Sequence, residues 1–278
     1  MNNTVKRSIF GLVFLAVMLG GLLLGKYFYI NLFTIITMIM LEEFYRMTMG
    51  KAYKDLQGMA SVMGAALFYI VSLDVLRRGE PLSQALLTGI VIVLGLMVYS
   101  IFQKDHSQFL KTGYMYAGLL YIALPILLSI AVVSRDGEYS GVLMVAFFCI
   151  IWASDVGAYC FGMLLGQKVW PAKLCPTISP KKSWAGFLGG MLTAVLAGAI
   201  LNWTGMVSFP MIHCLVMAAI MHVMGVFGDL FESLWKRAAG IKDSGNIIPG
   251  HGGLMDRFDS ALFAIPAGYL YLLMFELV

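Results

Sequence analysis

"IIPGHGGLMDRFDSALFAIPAGYLYLLMF", residues 247–275, opens as a glycine-broken loop, passes through Asp256-Arg257-Phe258-Asp259, and becomes an almost unbroken apolar run. A bilayer core takes about 20 apolar residues of helix, so this run reads as a membrane span with two acids and an arginine at its mouth. The rest of the chain repeats the pattern of long apolar runs and short charged punctuation. It is 60% hydrophobic and 12% charged over 278 residues, with a mean hydropathy of +0.85. A soluble domain is about half apolar and about a quarter charged. So few charges cannot cover a soluble surface, and the expected fold is an all-α, polytopic helical bundle in the membrane.

Spans are expected near 8–25, 28–44, 57–76, 82–102, 113–133, 140–163, 185–203, 208–228 and 258–277, nine in all, within a single membrane domain over 1–278. The first 139 residues hold the N-terminal spans, and 140–278 carry the chemistry. The N-terminal run lacks a small-x-small cleavage site and so reads as the first span rather than a secretory leader. With the N-terminus cytoplasmic, only Lys26, Arg77, Arg78 and Arg135 of the 19 basic residues fall on the outer side. The positive-inside rule favours that orientation. It places the long loops 164–184 and 229–257 together in the cytoplasm. Glu42 to Met47, "EEFYRM", reads as an interfacial anchor closing the second span.

The four cysteines (149, 160, 175, 214) form no CxxC pair, and the four histidines form no HExxH. Neither a zinc site nor a disulfide frame is indicated. The carboxylates are more informative. Asp155 lies deep in an apolar segment and Asp229 at the end of another. Acids in spans are costly and mark functional sites by default, although a helix–helix hydrogen bond would also account for Asp155. Asp256 and Asp259 stand three apart, on one face where a helix begins. Capping of the helix dipole explains one of them. Two, with Arg257 between, suit a hard divalent cation such as Mg²⁺, alone or with a second cation, that bridges carboxylates to substrate phosphates.

Cations gather around them: Lys236, Arg237 and Lys242 in "KRAAGIKDSG", and Lys181 and Lys182 in "TISPKKSWAG". Gly245, Gly250, Gly252 and Gly253 would expose backbone N–H groups to anions. No P-loop pattern is present. His251 either contacts phosphate or orders the loop. The GxxxG pairs Gly162/Gly166 and Gly186/Gly190 read as close helix packing.

The stretch 233–259, "SLWKRAAGIKDSGNIIPGHGGLMDRFD", closely resembles the signature of the phosphatidate cytidylyltransferases, or CDP-diacylglycerol synthases. "SDVGAYCFG" and "SPKKSWAG" upstream are similar to two further elements of that family. Trp235 replaces a usual aliphatic residue, and Ala185 stands where many members have Glu, so no role of that Glu carries over. The resemblance implies transfer of a cytidylyl group from CTP to phosphatidic acid, giving CDP-diacylglycerol and pyrophosphate for phospholipid synthesis. It implies Asp229, Asp256 and Asp259 as Mg²⁺ ligands. Lys236, Arg237, Lys242, Asp243 and Arg257 are implied at the reacting phosphates. Ser179, Lys181, Lys182, Ser233, His251, Gly252 and Gly253 are implied at the substrates, with Asp155 as a possible intramembrane member of the site. A homodimer in the inner (cytoplasmic) membrane, with its active site facing the cytoplasm, is also implied; nucleic acid is not a partner.

Two other readings compete. A CTP-dependent lipid kinase of the polyprenol type would use similar groups but release CDP and no pyrophosphate. A secondary transporter would use Asp155 and Asp229 as relays. Its charges would gather near the midplane with internal repeats, whereas here they gather at one end and no repeat is found. The CDP-alcohol phosphotransferase pattern is absent.

Overall fold

The computed structural model describes residues 3–50, 53–79, 82–101, 109–135, 138–167, 169–247 and 252–278. His251, Gly250 and Lys168 lie outside the described residues. The chain is mostly helical, and Cα packing groups it into two compact units, Met1–Gly141 with Asp243–Asp256, and Val142–Lys242 with Arg257–Val278.

The first unit contains α1 (Asn3–Leu23), α2 (Lys26–Met49), α3 (Lys54–Arg78), α4 (Leu82–Ile101), α5 (Phe109–Gly118) and α6 (Leu124–Val133). A short hairpin, β1 (Ser134–Arg135) with β2 (Glu138–Tyr139), follows. A π-helical turn, Leu119–Ala123, joins α5 to α6, and the Leu124 N–H reaches back five residues to the Leu119 carbonyl. Pro125 has no N–H to continue the α ladder, which accounts for the altered register. Tyr29, Phe33 and Phe68 form the aromatic centre, with Tyr29 Oη and Ser129 Oγ 2.5 Å apart. Tyr45 donates to the Met115 carbonyl at 2.9 Å. These bonds satisfy phenols that a buried apolar core would otherwise disfavour.

The second unit contains α7 (Val142–Leu164), the antiparallel hairpin β3 (Lys173–Cys175) and β4 (Ser179–Ser183), α8 (Trp184–Trp203), α9 (Met211–Ala238) and α10 (Met255–Met274), the last from Arg257 onward. Small residues let α7 and α8 approach closely. A methyl on Gly186 would meet the Ala158 carbonyl oxygen at 2.9 Å, and one on Gly190 would meet that of Ser154 at 2.9 Å. The packing role expected of Gly186/Gly190 is therefore visible. Leu188, Leu192, Leu196 and Ile200, four residues apart, form an exposed stripe along α8. An aliphatic stripe facing outward from a small-residue seam is the arrangement lipid favours.

Every apolar segment expected from the sequence coincides with a helical rod among the described residues. Six helices there are long and apolar enough, by length and composition, to cross a membrane. Two local expectations change. Loop 164–184 contains the β3–β4 hairpin, so Lys181 and Lys182 point to opposite sides of a strand. Loop 229–257 is shorter than expected, because α9 runs ten residues past Gly228 to Ala238. Leu230, Leu234 and Trp235 keep an apolar face going while the polar residues occupy another, so the helix has no reason to stop at Asp229.

Candidate active site

The extension of α9 carries Asp229, Glu232, Ser233 and Lys236 at spacings of three and four, which is one face of a helix. In the second unit, Asp259 on α10 meets that face. One carboxylate oxygen from each of Asp229, Glu232 and Asp259 lies within 4.8 Å of the other two. Glu232 is fully buried (0% exposed), and the two aspartates are half-buried. Lys182 on β4 pairs with Asp229 at 2.7 Å, and Ser233 Oγ donates to Asp229 Oδ1 at 3.3 Å. Lys236 forms a short ion pair with Glu232. Asp259 Oδ1 accepts from the Ser260 N–H at 2.6 Å, and among the described residues no lysine or arginine pairs with it.

Three crowded carboxylates with two lysines leave a surplus of negative charge in a partly buried place. Like charges this close repel one another unless a cation joins them. The donor set consists of hard oxygens, which suits a divalent cation of the Mg²⁺ or Ca²⁺ type rather than a soft metal. The acidic cluster therefore fits a metal ion by donor chemistry and by charge. Glu232 was not singled out from the sequence. The signal for it is the polar stripe 229/232/233/236, visible once the helix is known to continue.

Asp155 on α7 is exposed and has no hydrogen-bond partner among the described residues. It lies within electrostatic reach of Asp229, Lys182 and Arg257. Its company is this charged group rather than a helix–helix hydrogen bond. Nearby, buried Ser154 meets His222 Nδ1 at 2.7 Å and ties α7 to α9.

In the first unit, the loop that delivers α10 is organised around Asp256. Asp256 Oδ2 accepts from the Ser244 N–H at 3.0 Å, Ser244 Oγ at 3.0 Å and the Gly253 N–H at 2.8 Å. Gly252 takes φ +86°, a left-handed conformation that suits glycine. Asp256 thus performs the loop-ordering work of a helix-start acid, while Asp259, one turn later on α10, joins the acidic cluster.

Arg237 donates to the Ile241 carbonyl at 3.0 Å and to that of Ile178 at 3.5 Å, linking the end of α9 to the turn before β4. Lys181, Arg237, Lys242, Asp243 and Arg257 are exposed, and Ser179 is half-buried. Ser183 caps α8 by accepting from the Gly186 N–H at 3.1 Å, which fixes the strand carrying Lys182. Ala185 is 4% exposed, so a Glu there would need repacking.

Fold and site together define a multi-pass helical membrane protein with an acidic, lysine-flanked centre that could hold a metal ion. The chain belongs to the cytidylyltransferase family, whose family model matches residues 5–275. It is 31% identical over 277 residues to the phosphatidate cytidylyltransferase of Bacillus subtilis (strain 168), covering 99% of this chain and 100% of the relative. It is 31% identical over 266 residues to the phosphatidate cytidylyltransferase of Staphylococcus epidermidis (strain RP62A), with 95% of each chain covered. The Staphylococcus aureus (strain COL) protein of the same name is 29% identical over 262 residues, with 94% of this chain and 95% of the relative covered.

Proposed function

We propose that this chain transfers the cytidylyl group of CTP to phosphatidic acid, giving CDP-diacylglycerol and pyrophosphate. The observation that carries the proposal is the carboxylate cluster Asp229, Glu232 and Asp259, flanked by Lys182 and Lys236, on a chain of the cytidylyltransferase family. A phosphate oxygen of phosphatidic acid attacks the α-phosphorus of CTP. The bond from that phosphorus to the oxygen bridging to the β-phosphate breaks, and pyrophosphate leaves with the bonding pair. The nucleophile is already an anion, so no strong general base is required, and the main demands are alignment and charge neutralisation.

Mg²⁺, with Asp229, Asp256 and Asp259 as its proposed ligands and Glu232 as a further acid beside Asp229 and Asp259, would neutralise phosphate oxygens and orient them. Lys182 and Lys236 already sit on the cluster and would accompany substrate phosphates as charge partners. Arg237, Lys242 and Arg257 are exposed and able to reach a soluble triphosphate, with Lys181 and Ser179 presented by β4. Asp243 would orient a lysine, and Gly252, Gly253 and His251 belong to the loop proposed to line the nucleotide. Asp155 would complete the charged group from α7.

The same reading has nine spans in one membrane domain, with the N-terminus and site facing the cytoplasm, where CTP is dissolved. The bias of basic residues supports that orientation. It also holds the chain to be a homodimer of the cytoplasmic membrane.

Purified protein given CTP, phosphatidic acid and Mg²⁺ is expected to form pyrophosphate and CDP-diacylglycerol in equal amounts. Chelator or Asp256→Ala should abolish both. CDP with a newly phosphorylated lipid would replace this reading with a kinase, and solute uptake by liposomes without either product would replace it with transport.

A further inference from the structure

Glu42 and Glu43 are neighbours in sequence and opposites in surroundings. Glu42 is exposed and pairs with Arg46 at 2.9 Å, as an interfacial anchor would. Glu43 is 1% exposed, and its partners lie about two hundred positions away in the loop that starts α10. Oε1 accepts from the Leu254 N–H at 3.0 Å, and Oε2 accepts from the Met255 N–H at 2.8 Å and from Ser244 Oγ at 3.1 Å. Ser244 Oγ also lies 3.0 Å from Asp256 Oδ2, so its one proton is shared between the two carboxylates. The loop is moulded to this carboxylate. A methyl on Gly253 would stand 2.6 Å from both Glu43 oxygens, and one on Gly245 would strike Oε1.

The first turn of a helix leaves its N–H groups without intrahelical partners and carries positive partial charge. Helices usually meet that need with a local cap. Here α10 is met by a buried carboxylate from α2, whose frame is fixed by Tyr45 donating to Met115 two positions later. We propose that Glu43 is a positioning residue for the cytidylyl transfer: it caps α10 from a distant helix and, through Ser244 and the first-turn amides, fixes how the Asp256 carboxylate is held at the start of α10. The role rests on the functional reading above. It needs a charged acceptor with two oxygens, because three donors converge on it. A Gln at this position has one carbonyl oxygen, and its NH₂ would face an N–H donor.

The test uses the full chain in detergent, comparing wild type with Glu43→Gln, Glu42→Gln and Ser244→Ala. Hydrogen exchange across residues 244–256 should speed up about tenfold or more at Leu254 and Met255 in Glu43→Gln. Turnover per folded molecule should fall about 30-fold, since a misplacement of roughly 1 Å far from the chemistry can cost 10²-fold. The Mg²⁺ concentration for half-maximal activity should rise while the KM for phosphatidic acid stays put. A purely structural role would lower the yield of folded protein and leave that Mg²⁺ dependence unchanged, which would overturn the proposal, as would unchanged exchange. If Glu43→Gln does not fold, Ser244→Ala decides: a several-fold shift in Mg²⁺ dependence supports the proposal and none overturns it. Wild-type protein without cytidylyl transfer would remove the functional reading itself. The exchange comparison would then stand alone, with faster Leu254 and Met255 exchange upholding the anchor and unchanged exchange overturning it.

Discussion

Two carboxylate centres, one in each packing unit, use the same functional group in opposite ways. Around Glu43, one buried acid is surrounded by donors: two first-turn amides and a hydroxyl. Around Asp229, Glu232 and Asp259, three acids face one another, two lysines answer two of them, and Asp259 has no basic partner among the described residues. A buried carboxylate with donors on both of its oxygens, as Glu43 is, is held as structure. Crowded carboxylates in excess of their cations hold electrostatic energy that a metal ion can release. The contrast separates an anchor from a binding centre without reference to relatives.

The largest way to break the contrast is Asp259→Ala, which should lower cytidylyl transfer by about 10³-fold while the protein still purifies as a folded species. Near-normal turnover would take Asp259 out of the centre. A sharper version uses near-isosteric neutralisation at both centres, read as unfolding temperature in chelator. Asp259→Asn relieves like-charge crowding and should stabilise the metal-free protein by on the order of 1 kcal/mol. Glu43→Gln removes a satisfied acceptor and should destabilise it by about 1–3 kcal/mol. Mg²⁺ at a hundred times its dissociation constant should stabilise wild type by about 2.7 kcal/mol and Asp259→Asn far less. Equal signs for the two variants would erase the distinction.

Smaller effects follow at the lysines. Lys182→Met leaves Asp229 without its 2.7 Å partner and should raise the KM for CTP about tenfold, on the order of one charged hydrogen bond. A CTP titration at saturating lipid reads this directly. The smallest effect belongs to Glu42→Gln, whose exposed pair with Arg46 should be worth under about 0.5 kcal/mol, with activity unchanged.

The helical rods were legible because apolar runs of span length are a strong local signal, and α8 kept its expected bounds almost to the residue. Asp229 and Asp259 stood out as acids against apolar sequence. Glu232 did not, because the apolar count falls off after Gly228 and so hides the continuation of α9 to Ala238. The helix in fact continues as an amphipathic one, which hydropathy alone does not register. Glu43 was hidden for a different reason. Its local pattern is that of an interfacial anchor, a description that fits Glu42, and nothing nearby announces partners at Ser244, Leu254 and Met255. Asp256 was legible as a helix-start acid and as a metal ligand at once. Its three contacts through Oδ2 show the first of these roles.

In the proposed reaction the cytidylyl group of CTP, and not its terminal phosphate, passes to the lipid. The direct measurement supplies purified protein, phosphatidic acid and Mg²⁺ with CTP labelled at either the α- or the γ-phosphorus, and follows label into lipid. Label is expected in lipid from the α-position and none from the γ-position, with transfer lost in Asp259→Ala. Label entering lipid from the γ-position alone would contradict the proposed reaction.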